Sequence, residues 1–248
     1  MVEMHEDVAI IDLVNKNTSE DDMSNTRTIN SQTEQSVLQT NKVIRNTYML
    51  LAMTLAFSAV TAGISMAINP PFILYIGSVI VSFILLFVIN KKQNSAAALP
   101  LTFLFTGLMG FGLGPILNMY LGMSNGGQII MTALGMTALT FVGLSAYVLT
   151  SKKDFSFMGG FLAAGSIVLI LAMLALFILP LFGVNVGGLS IAFSALVVLL
   201  MAGFILYDTS NIVNGTYTNY VMATVSLYLS IYNLFIHLLS LIGVFSDD

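Results

Sequence analysis

Two acids stand between residues 46 and 246: Asp154 in a polar stretch, and Asp208 at the end of a long apolar run. A carboxylate at the edge of a membrane-crossing run is costly to place. Acids of this kind mark ion paths, proton relays or ligand counter-ions. The next apolar run, 221–245, carries Ser226, Ser230, Asn233, His237 and Ser240. Their spacings of 4, 3, 4 and 3 put them in one stripe on a helix. If the stripe faces Asp208, Ser226 or Ser230 can supply it with a hydroxyl and Asn233 with an amide. Protonation of Asp208 would then remove a charge and release one helix from the next, which makes a pH latch. The plainer alternative is a carboxylate that ends a helix in headgroup water.

The stripe itself has two readings. Its side chains make interhelical hydrogen bonds, worth about 0.6 kcal/mol each, or they line a water-accessible path. His237 lies seven residues past Ser230, about 10 Å along a helix. That is too far for a direct pair with Asp208, and a satisfied buried histidine is the expectation. Catalysis is not expected. There is no H-E-x-x-H and no G-x-S-x-G. A Ser240–His237 pair has no third orienting group or oxyanion donor beside it in the sequence.

These residues must be positioned by membrane helices. The chain has 248 residues, of which 57% are hydrophobic and 8% charged, where soluble domains are about one quarter charged. It has no cysteine, which excludes disulfides and thiolate metal sites. The histidines are His5 and His237, so a zinc site would need unusual ligands. No basic patch with interleaved aromatics points to nucleic acid. No cofactor is expected either: Gly110-Phe111-Gly112-Leu113-Gly114-Pro115 lies inside a span and follows no strand.

The start, Met1-Val2-Glu3-Met4-His5-Glu6-Asp7, lacks the basic and apolar regions of a signal peptide. The first span is therefore expected to target the chain. Residues 1–45 are rich in Asn, Ser, Thr and acids and are expected to form a largely disordered tail. The remainder, 46–248, forms a seven-span domain. A hydrocarbon core needs roughly 20 apolar residues per helix. Seven segments qualify: about 47–68, 71–90, 98–121, 128–150, 157–180, 188–210 and 221–245. The expected fold is an all-α integral membrane protein with seven transmembrane helices and the last helix central.

The basic residues set the orientation. Lys16, Arg27, Lys42, Arg45, Lys91, Lys92, Lys152 and Lys153 fall in the tail, the two–three loop or the four–five loop. The positive-inside rule puts these segments in the cytoplasm. The N-terminus is then cytoplasmic, the C-terminus outside, and Asp208 near the cytoplasmic mouth. A re-entrant last segment would instead return the C-terminus inside. Small residues such as Gly107, Gly110, Gly114, Gly160 and Gly188 are expected at helix contacts.

Several strings resemble the Bax inhibitor family of seven-span proteins, and its bacterial YccA-like branch in particular. They are Asn41-Lys42-Val43-Ile44-Arg45-Asn46-Thr47-Tyr48, Gly114-Pro115-Ile116-Leu117-Asn118, Ser145-Ala146-Tyr147-Val148, Tyr207-Asp208-Thr209-Ser210-Asn211-Ile212, and Ala223 through Phe235. The resemblance covers about 41–248. It implies a bacterial inner-membrane protein that binds the membrane protease FtsH and restrains its degradation of other membrane proteins. It also implies a pH-sensitive calcium leak, set by a pair of aspartates on spans six and seven. The span-seven aspartate of that pattern is matched here by Ser230, so a two-carboxylate sensor is not expected.

Overall fold

The structure is a computed structural model that describes residues 38–151 and 153–246. Most of the polar tail lies outside the described residues, as do Lys152 and the final pair Asp247-Asp248. Each expected span is one helix. They are α1 (Leu38–Ile68), α2 (Phe72–Lys92), α3 (Ala98–Leu121), α4 (Gly126–Ser151), α5 (Gly159–Ile178), α6 (Gly187–Val213) and α7 (Tyr220–Ser246). All seven are long and apolar enough to cross a membrane. The described residues contain no strand. Lipid offers no partner for backbone N–H and C=O groups, and a helix satisfies them within one segment.

Helix ends follow local chemistry. Pro71 caps α2 at its start, and Lys91 and Lys92 close its last turn, where cations meet the negative end of the helix dipole. Pro180 ends α5 in a short 3-10 turn, closed by Gly183 at a left-handed φ of 77°. The first helix is described from Leu38, ahead of the expected start of the apolar span, so the last residues of the polar stretch are helical. The last helix is continuous over 27 residues, about 40 Å. That length is enough to cross a bilayer.

Packing centres on α7, which lies against α6, α4 and α3. Tyr228 hydrogen-bonds Ser58 of α1 at 2.8 Å and donates to the Thr106 carbonyl of α3 at 3.3 Å. Tyr232 donates to the Met109 carbonyl, also on α3, at 3.2 Å. The fourth helix packs mainly on α7 and α6, less on its hairpin partner α3. The fifth rests on α6. The crossing of α1 and α3 is set by glycine. A Cβ on Gly110 would collide with the Ser58 backbone oxygen, and one on Gly114 with Ser65. Not every small residue behaves so: Gly160 and Gly188 have open space where a Cβ would stand.

One rim gathers the two–three, four–five and six–seven loops. Asn219 donates to the Gln93 carbonyl at 2.8 Å and to Asn94 at 2.9 Å. Asn214 donates to Asp154 at 3.0 Å. Lys91, Lys92 and Lys153 belong to this rim, and α6 ends there.

Candidate functional site

The last turns of α6 hold four consecutive buried polar residues, Asp208, Thr209, Ser210 and Asn211. A helix sends successive side chains about 100° apart, so each of the first three meets a different neighbour. Asp208 is 1% exposed and points to α7. Its Oδ2 accepts from the Ser226 hydroxyl at 2.7 Å. Its Oδ1 accepts from the Tyr217 hydroxyl at 3.1 Å. Thr209 meets the Tyr48 hydroxyl of α1 at 3.4 Å and Ser145 of α4 at 3.3 Å. Ser210 turns to the four–five loop, where it accepts from the Phe155 N–H at 2.8 Å and donates to Asp154 at 3.3 Å.

The expected meeting of Asp208 with the α7 stripe is present, through Ser226. Ser230 and Asn233 do not reach the acid. Ser230 donates to the Ser226 carbonyl at 3.2 Å, and Asn233 to the Leu229 carbonyl at 2.8 Å. Both satisfy their own helix. Tyr217 was invisible to periodicity because it lies in the six–seven loop. Its N–H bonds the Asn211 carbonyl at 3.1 Å, which folds the loop back over the end of α6. Burial, then the nearby Asp208 carboxylate, pushes the Tyr217 phenol above its ordinary range, while the Ser226 hydroxyl opposes the shift. Tyr217 therefore stays a donor to Asp208.

At the other end of the stripe, His237 Nδ1 meets Ser194 Oγ of α6 at 3.2 Å, and its ring packs edge-on against Phe193. Ser194 donates onward to Ser240 at 3.5 Å. The serine beside the imidazole is thus Ser194 rather than Ser240, and the pair closes an interhelical contact.

Between these ends the stripe borders a cavity of about 610 Å³. Ser226, Ser230, Asn233 and His237 all line it. Its opposite walls are apolar, with Phe83 of α2, Met109 of α3, Met173 of α5, and Met201 and Phe204 of α6. So between Ser226 and His237, which both reach α6, the polar face of α7 borders open space.

As a candidate calcium ligand, Asp208 has few oxygen neighbours. Calcium takes about six to eight oxygen ligands. Here one carboxylate is joined by two hydroxyls that both spend their protons on it. Among the described residues no three His, Cys, Asp or Glu side chains cluster.

Asp154, in the loop outside the spans, is held below the usual carboxylate range. The Ser156 N–H contributes most, with further bonds from Ser156, Ser210 and Asn214.

The family model described as "Inhibitor of apoptosis-promoting Bax1" matches residues 40–247. A membrane protein of Vibrio cholerae is 50% identical over 213 residues, covering 85% of this chain and 93% of that protein. The protein named modulator of FtsH protease YccA in Escherichia coli K12 is 47% identical over 213 residues, covering 86% of this chain and 94% of its own. A protein from a second Escherichia coli strain, named inner membrane protein YccA, matches to the same extent.

Proposed function

This chain belongs to the family of inhibitors of apoptosis-promoting Bax1, and from that premise we propose that it binds the membrane protease FtsH and restrains its turnover of other membrane proteins. One observation carries this reading. The likeness to a protein named as a modulator of that protease runs through 86% of this chain and 94% of the relative. A regulator of this kind needs a membrane anchor and a contact surface rather than a catalytic centre, and the seven helices supply the anchor. The bacterial inner membrane is its place, with the basic rim toward the cytoplasm by the positive-inside rule. The polar tail is the handle on that side.

Co-purification of FtsH with the full chain and with a chain lacking residues 1–40 tests the contact. Turnover of a membrane substrate of the protease, followed while the chain is overproduced, tests the restraint. Association and slowed turnover are expected with the full chain, and weakened association without the tail. Absence of association together with unchanged turnover overturns the proposal.

A second reading, a leak for calcium gated at Asp208, draws on the cavity lined by Ser226, the hydrogen-bond partner of Asp208. A path needs only passing contacts, so the thin ligand set at Asp208 is no obstacle to it. Dye-loaded liposomes carrying the protein would then show calcium flux that Asp208→Asn alters. Flux no greater than in empty liposomes ends this reading.

A further inference from the structure

The hydrogen bonds of the α7 stripe leave an unequal residue. Ser226 spends its proton on Asp208, Ser230 on the Ser226 carbonyl, and Tyr232 on the Met109 carbonyl. Asn233 spends one N–H on the Leu229 carbonyl. What these groups still offer the cavity is mainly acceptor oxygen: Ser226 Oγ, Ser230 Oγ and Asn233 Oδ1. Behind Ser226 stands the Asp208 carboxyl group, which accepts from the neutral hydroxyls of Ser226 and Tyr217. No lysine or arginine lines the cavity. An acceptor-lined wall without a basic residue, backed through a hydroxyl by a carboxyl group, favours a cation that donates hydrogen bonds.

The rest of the wall selects the body attached to that cation. Phe83, Phe204 and Tyr75 are aromatic residues of the lining, of a kind that attracts ammonium groups, and Met109, Met173 and Met201 add polarisable apolar surface. The volume, about 610 Å³, lies within the ~300–1,000 Å³ of small-molecule sites. From Ser226 to His237 the wall runs about 16 Å along α7. A bare metal ion would leave most of this apolar surface unused.

We propose that the cavity among α2, α3, α5, α6 and α7 is a binding site for an amphiphilic organic ammonium ion, its head at Ser226, in front of the buried Asp208, and its apolar body along the methionine and aromatic wall.

The chain has no tryptophan, so Phe204→Trp places a single fluorescent reporter in the wall. The purified Phe204→Trp chain, in micelles of a neutral detergent, is titrated with octylammonium, with octanol and with calcium. Phe245→Trp, on an outward-facing residue near the end of α7, reports non-specific partition into the micelle. Octylammonium is expected to give a saturable change at the Phe204→Trp indole alone, and octanol none. Asp208→Asn in that background should weaken binding about ten-fold or more. Ser230→Phe, which fills the cavity without touching the acid, should abolish it. Ser226→Ala, which keeps the carboxylate, serves if Asp208→Asn fails to fold by circular dichroism and gel filtration, and should also weaken binding. Equal responses to octanol and octylammonium mark the cavity as a lipid-tail pocket and overturn the proposal. A saturable response to calcium without one to octylammonium overturns it too, as does an affinity unmoved by the substitutions at 208 and 226.

Discussion

The last helix and the fifth are both membrane spans, yet they are built on opposite terms. Half of the membrane-crossing stretch of α7 is buried, against 6% of that of α5. The more apolar of the two is α5, whose one buried residue is Leu162. In water the greasier helix would be driven inside. In lipid the tails solvate apolar side chains as well as a protein interior does, so greasiness gives no reason to be central. What draws α7 inward is its hydroxyls, its histidine and its carboxylate partner, which lipid cannot satisfy. Tyr228, Tyr232, Ser226 and His237 each reach another helix or its terminus. The described side chains of α5 make no such reach; Ser166, for one, bonds the Leu162 carbonyl of its own helix.

This contrast can be broken most directly by paired truncations. Leu234 on α7 is fully buried and Leu171 on α5 is 61% exposed. Leu234→Ala should cost about 2–5 kcal/mol of stability, and Leu171→Ala within roughly 0.5 kcal/mol. Unfolding in mixed micelles measures both, and similar costs would mean that α5 has a buried partner. A second pair concerns backbone approach. Gly110→Val forces α1 from α3 and should cost about 1–3 kcal/mol or more, whereas Gly160→Val faces open space and should be nearly silent in the same assay.

The smallest effect tests how α5 is tethered. Its leading loop is fixed by Asp154 to Ser210 and Asn214 at the end of α6. The depressed pKa of Asp154 means that the ionised form is the one the folded loop prefers. Its contribution is complete above the ordinary aspartate pKa, about 3.9, and fades as pH falls through the lower folded value. Faster exchange of the Ser156 amide in acid is expected, and Asp154→Asn should flatten that dependence.

Much of this was legible from spacing alone. Seven apolar runs became seven helices because length and composition decide membrane spans. The 4-3-4-3 stripe became one face because the helix period fixes it, and Ser226 met Asp208 as that face allowed. Tyr217 was not legible: a loop residue obeys no period, and only the fold of the six–seven loop brings it back to α6. Nor was the private business of Ser230 and Asn233. Serine and asparagine in a helix bond their own preceding carbonyls, and the sequence does not say when they do. Small residues misled at Gly160 and Gly188 for a similar reason, since which side of a helix meets a neighbour is set by the whole bundle.

The turn from Asp208 to Ser210 carries a further consequence, one of phase. Three adjacent side chains serve α7, the pair α1 and α4, and the four–five loop, each at its own angle around the axis. A substitution there disturbs one of these links. An inserted or deleted residue just before the turn rotates all of them by about 100°, so the acid faces α1 or the loop and every partner is mismatched together. The position is therefore far more sensitive to a change in chain length than to a change in side chain.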